Sequence, residues 1–452
     1  MDAHLIDSRV FGHQWTTHEA LAIFSEEARV ERWIEILIAL AEAQAECGII
    51  PKQSAAEISR LREIRLSIED IAERTRQTSH STLGLIQVLR THLTGDASEH
   101  VYYGATVQDI SDTAQALELR SVAGIIWRDL WETEGILVKM ASRHRDTPMV
   151  GRTHGQPGAP ITFGFKVASW ADELSRHLGR LRSGCDIWLV GQLAGAVGSL
   201  AFFQERGLAL REVFCARLGL DQPAISWTSS RDRLADFANF AAMAASSAAR
   251  IANEVYALQR REIGELAEKA NVNTVGSITM PHKRNPESSE QIVALARMAR
   301  AEAALLTETM VQEHERDARG WKIEWAAFPT LCHYVLACLS MTRTLVEGLE
   351  VDEQAMRRNL GYGSGSEQTL SLMSIRLGKH RAQALLQDAF REARETGKPV
   401  AEVLRPLATP EESNALDMVD LGTAPEMVDR VVALALARRA AESPDWLEHS
   451  DR

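Results

Sequence analysis

Apolar side chains recur along most of this chain at intervals of three and four residues. Over Glu26 to Glu46 they fall at Val30, Trp33, Ile34, Leu37, Ile38 and Ala41, one face of an α-helix. Ser54 to Ile71 repeats the style. Asp112 to Met140, Phe165 to Leu181, Asp232 to Ala270 and Ser288 to Gln312 are long segments without internal proline. Several run well past the mean helix length of about 11 to 12 residues. Alternating strand-like patterns are scarce, and no fixed repeat of about 20–50 residues stands out. The pattern predicts an all-α fold whose long helices pack side by side as a bundle.

Punctuation divides the chain into three helical parts: residues 1–111, 112–350 and 351–452. Gly104 closes the first, and Gly361-Tyr362-Gly363-Ser364-Gly365 opens the last. Two polar, Gly/Pro-containing loops interrupt the middle part, Thr147 to Pro160 and Asn271 to Pro286. In a helical protein such loops are where chemistry concentrates.

Composition narrows the function classes. The chain has 452 residues, which suggests roughly three domains. It carries 50 basic against 62 acidic residues, a net charge of −12, which argues against a nucleic-acid-binding surface. A local cationic pocket for a small anion remains compatible with that charge. Five scattered cysteines with no CxxC signal neither a disulfide framework nor a zinc site. No basic-then-apolar leader opens the sequence. The uncharged stretches Ile187 to Gln204 and Ala326 to Thr342 are shorter or more polar than a membrane span of about 20 residues. A cytoplasmic protein without membrane or nucleic-acid partners is expected.

The richest segment is Gly276-Ser277-Ile278-Thr279-Met280-Pro281-His282-Lys283-Arg284-Asn285-Pro286. Asn285 suits an N-cap and Pro286 the first helical position, with Glu287 and Glu290 in the first turn. The free N–H groups of such a helix start, with Lys283 and Arg284, would make a carboxylate or phosphate site. The plainer reading is a capped helix with two solvated cations. Arg152-Thr153-His154-Gly155-Gln156 offers a histidine for proton exchange beside two carboxylate-binding side chains. Thr106-Val107-Gln108-Asp109 follows a glycine turn, and Thr106 could simply be a helix cap. Thr78-Ser79-His80-Ser81 could likewise only cap the next helix.

Together these segments resemble one family. GSITMPHKRNPESSE is similar to the GSSxMPxKxNxxxxE signature of the fumarase/aspartase superfamily, and YYGATVQDISDT and GRTHGQPGAPITFGFK resemble its two other motif regions. The resemblance implies three helical domains with a central five-helix bundle. It implies a homotetramer with a twenty-helix core, whose active sites each draw on three chains, and no metal or organic cofactor. By the same resemblance Ser277 is the base that removes a Cβ proton from a succinyl group, while Lys283 and Asn285 hold the adjacent carboxylate. His154 paired with Glu290 would assist the leaving group, and Thr106 and Thr153 would bind carboxylates. His80, with Ser79, matches a further active-site position of the adenylosuccinate lyase branch. Arg152, Gln108, Met280 and Arg319 complete the expected substrate contacts, with Lys322 and Glu324 as weaker candidates.

Departures place the chain within the family. Ser81 follows His80 where adenylosuccinate lyases have aspartate, and Glu315-Arg316-Asp317 is not followed by their Ser/Arg-rich phosphate stretch. EHERDARGWKIEW and SRVFG instead resemble 3-carboxy-cis,cis-muconate cycloisomerases. Those of bacteria commonly have tryptophan where His154 stands. The retained His154 and Glu290 fit a lyase that cleaves a small substituted succinate, a di- or tricarboxylate, to fumarate. A C–N bond is the expected target, with cycloisomerisation and adenylosuccinate cleavage as alternatives. A non-catalytic relative on this scaffold should have lost Ser277, His154 or Lys283, and all three are present.

Overall fold

The structure, a computed structural model, describes residues 4–270, 279–280, 282–361 and 365–449. Five long helices form its centre: α1 (Val107–Arg143), α2 (Phe163–Trp188), α3 (Asp232–Leu258), α4 (Glu287–Glu308) and α5 (Ala318–Glu347). They share one core that includes Ile126, Trp127, Leu174, Phe237, Leu295 and Phe328. Alanines at 238, 241, 245, 248 and 252 are buried along α3. Small side chains on that face let its neighbours approach closely.

The helices alternate in direction, which gives the bundle two chemically distinct ends. α1 starts beside Arg316, which precedes α5, and Arg231, which precedes α3, meets Asp112 in the first turns of α1. At the opposite end α1 leads into an antiparallel hairpin of β1 (Pro148–Thr153) and β2 (Gln156–Thr162). There β3 (Leu266–Ala267), after α3, pairs with β4 (Glu350–Val351), after α5. With 37 residues at about 1.5 Å each, α1 separates the two ends by about 55 Å.

A second core holds the N-terminal part. Ile36, Leu37 and Leu40 of helix Glu26–Glu46 pack with Ile58, Leu85 and Leu89, and with Phe214 from helix Gly207–Arg217. A small third cluster holds Met373, Ala389 and Leu404. The late helix Ala424–Ala441 returns to the bundle, where Arg438 and Arg439 pair with buried Glu134. No described helix is long and apolar enough to cross a membrane.

Three sequence expectations need correction. Ser54 to Ile71 is not one helix: Lys52–Ser59 passes through a 3₁₀ turn, and Ile68–Thr78 starts afresh with Ser67 accepting from the Asp70 N–H. The helix expected to run to Ala270 ends at Leu258, where Gly264 at positive φ helps turn the chain into β3. Thr147 to Pro160 is mostly a hairpin. His154 and Gly155 both have positive φ at its two-residue turn, as a tight hairpin requires.

Candidate active site

The predicted residues fall into two clusters, one at each bundle end. At the first, Thr106 is the N-cap of α1 and its backbone N–H donates to Asp109 Oδ2 at 2.9 Å. The N–H groups of Ala194 and Gly195 donate to the same carboxylate at 2.7 and 3.2 Å. Burial pushes Asp109 up to about 7 even against these three donors. Thr106 Oγ1 accepts from Arg316 Nη1 at 2.9 Å, so a cation stands beside the expected carboxylate binder. Behind this surface, buried Arg231 bonds both Asp112 and Glu324, with its guanidinium over Trp227 at 5.0 Å. Gln192 also donates to Asp112. This network fixes the starts of α1, α3 and α5 against one another.

Several expected contacts at this end are occupied by the protein itself. Gln108 is buried, and its amide donates to the Thr228 carbonyl at 2.7 Å. Glu324, a weaker candidate, is locked in the Arg231 network. Arg319 is exposed but holds Asp317, the N-cap of α5, and Glu313. That arrangement keeps the Asp317 carboxyl far below the usual range. His80 Nδ1 accepts from the backbone N–H groups of Thr82 and Leu83, and Ser79 sits at positive φ as the cap of the preceding helix. The capping reading of that segment therefore describes what its side chains do within one chain.

The second cluster surrounds the hairpin. Thr153 and His154 lie exposed at its tip, away from the bundle. Arg152, expected to meet substrate, instead forms a two-bond pair with Glu265 at 2.8 and 2.6 Å. Asn359 donates to the same fully buried carboxylate at 2.8 Å. One residue thus ties the hairpin to the strand that leads into the signature loop.

Ser277 lies outside the described residues, but the stem of its loop is described. α4 begins at Glu287 with Pro286, not Asn285, at the N-cap position. Its first N–H groups are not open to an external anion. Glu268 accepts from Ser288 N at 3.1 Å, and from Ser289 N and Oγ at 2.8 and 2.6 Å. The anion predicted for this helix start is therefore a side chain of the protein. Arg284 closes the stem by donating to the Glu268 carbonyl at 2.7 Å and to Glu350 at 3.3 Å. Lys283, Met280 and Glu290 are exposed near this stem, with Asn285 half-buried. Among the described residues, no hydrogen bond joins His154 to Glu290.

Sequence reading missed Glu265, Glu268 and Asn359, and used Arg316 only as a landmark. Their signal was weak: two carboxylates just before a polar loop look like any solvated pair. Pairing with Arg152 and capping of α4 become visible only in three dimensions. Thr106 and His154 stand at opposite ends of a helix about 55 Å long. A single chain cannot bring them to one substrate.

A family profile described as Lyase matches residues 13–300. The chain is 37% identical to N-acetyl-S-(2-succino)cysteine lyase of Dickeya dadantii, covering 96% of this chain and 98% of that protein. It is 36% identical to 3-carboxy-cis,cis-muconate cycloisomerase of Pseudomonas aeruginosa, over 85% of each. A solved fumarate lyase from a Mesorhizobium species superposes with a TM-score of 0.85 at 32% identity, covering 93% of this chain and 98% of that one. With the two-ended helical bundle and the motif residues, these likenesses establish that the chain belongs to the fumarase/aspartase superfamily of lyases.

Proposed function

We propose that the chain is a β-eliminating lyase that splits a 2-succinyl thioether of a small thiol into fumarate and the free thiol. The site would combine the hairpin end of one copy, the signature loop of another and the Thr106 end of a third, in a homotetramer. The observation that carries the shared site is the placement of Thr106 and His154 beyond opposite ends of one 37-residue helix. His154 is exposed on a tight turn and Thr106 is held beside Arg316. Each cluster is presented outward, and each is incomplete alone.

The chemistry follows from the substrate. Ser277 takes a proton from the carbon beside one carboxylate, and the electron pair moves onto that carboxylate. Lys283 and Asn285 stabilise the charge. The pair returns to form the double bond as the C–S bond breaks, leaving fumarate, a thiolate and the proton on the base. Thr106, Thr153 and Arg316 hold the second carboxylate. His154, oriented by Glu290 across the assembly, protonates or positions the leaving group. A thiol with an ordinary pKa of about 8.5 departs as thiolate with little help. An amine must be protonated first.

The sulfur assignment departs from the C–N target expected from sequence. Its support is the likeness of nearly the whole chain to a protein named for an S-succinyl cysteine. The retained His154 favours the nitrogen reading. The deciding experiment follows fumarate absorbance with S-(2-succinyl)-N-acetylcysteine, N-substituted aspartates, adenylosuccinate and 3-carboxymuconate. Fumarate from the thioether, lost in a folded Ser277→Ala variant, supports the proposal. Fumarate from an aspartate alone returns the protein to C–N cleavage. Mixing the inactive Thr106→Val and Ser277→Ala variants tests the shared site: hybrid tetramers should recover turnover, and none recovered would refute sharing.

A further inference from the structure

A cavity of about 460 Å³ lies between the N-terminal helices and the first turns of α1 and α5. Its walls are largely apolar, with Trp33, Trp321, Trp325 and Phe328 in the lining. Trp321 and Trp325 meet edge to face at 5.0 Å. This volume suits a drug-sized organic group with a few polar contacts. Ser111 also lines it, and Ser111 Oγ is buried without a hydrogen-bond partner. A buried hydroxyl of that kind is destabilising unless something pairs with it. Ser111 is five residues beyond Thr106, a rise of about 7.5 Å along α1. The cavity therefore adjoins the carboxylate-binding end of the bundle.

We infer that this cavity receives the departing half of the substrate, an N-acylated amino-acid thiol whose acyl group lies among the indoles. This rests on the thioether reading above. The ligand's carbonyl accepts from Ser111 Oγ, and its single carboxylate faces Arg29 on the cavity wall. The wall's charges disfavour a nucleotide monophosphate. Glu26, Glu118, Asp112 and Glu324 all line the space, and Arg29 and Arg76 are its cations. Asp112 and Glu324 share Arg231, Glu118 pairs with Arg32 at 2.8 Å and Arg76 with Glu73 at 2.9 Å, so Arg29 is the cation that faces the ligand. One ligand carboxylate can meet Arg29, whereas a phosphate dianion beside these carboxylates and indole faces is disfavoured.

Calorimetric binding of the free thiols to the full chain tests the cavity without requiring turnover. N-benzoylcysteine should bind at least tenfold more tightly than cysteine, with N-acetylcysteine between them. Ala72→Trp, which fills the cavity from the half-buried face of helix Ile68–Thr78, should weaken N-benzoylcysteine binding at least tenfold. Trp325→Ala, at an exposed position that leaves the core intact, should also weaken it. Equal affinity for all three thiols, no binding by the wild type, or unchanged binding in both variants would overturn the inference. Binding as expected with no fumarate from any thioether would instead defeat the thioether reading and leave the cavity assignment standing.

Discussion

Replacing Glu265 tests whether the hairpin and the signature-loop stem are mechanically one unit. Glu265 accepts two charge-assisted bonds from Arg152 and one from Asn359, and its side chain is fully buried. Removing one member of a buried pair costs about 3–5 kcal/mol, because the remaining charge is stranded. The Arg152 side chain retains 16% exposure, so water can reach part of it and the lower end of that range applies. Glu265→Leu should thus lower the unfolding free energy by about 3 kcal/mol in urea. Arg152→Met should behave similarly, and the double variant should lose much less than the sum. A coupling energy near 2 kcal/mol is expected from the cycle. Turnover should fall as well, since a shift of about 1 Å in a positioned catalytic group can cost about 100-fold. Coupling below about 0.5 kcal/mol, with turnover unchanged, would show that Arg152 and Glu265 merely fill space and that the tie is not mechanical.

Other expectations are direct. His154→Asn should slow an amine-releasing substrate by about 100-fold or more and a thioether much less, because only the amine needs the proton. Equal losses on the two would refute that division of labour. Asp109 is held at about 7, above its ordinary 3.8, so the folded state favours its protonated form. Its contribution is complete below pH 3.8 and is lost as pH rises through 7. Urea unfolding should therefore show stability declining between about pH 4 and 7, by up to about 1.4 kcal/mol per pH unit, and levelling off above that, and Asp109→Asn should flatten the decline. Arg231→Met strands Asp112 and Glu324 in the core and should cost about 3–5 kcal/mol, measured by the same method; a loss under about 1 kcal/mol would mean that water enters the network.

The order of residues was enough to place the long helices, because periodicity at three and four residues reports directly which face must be buried. Helix Glu26–Glu46 appears with the predicted ends, where Ser25 accepts from the Ala28 N–H. It also determined the family and the capping of α1 by Thr106, since these depend on local order along the chain. Which polar groups the protein uses on itself emerged only from the three-dimensional packing. Arg152 looks like a carboxylate binder until Glu265, 113 positions later, takes both of its bonding edges. The start of α4 looks like an open anion site until Glu268 fills it from 20 positions earlier. The separation of Thr106 from His154 is of the same kind. Their numbers differ by only 48, yet 37 of the intervening residues form one helix that holds them at opposite ends. Helical periodicity is a property of neighbours in sequence. Charge pairing and the distance between sites depend on how the helices are laid against one another, and single-residue patterns carry no record of that.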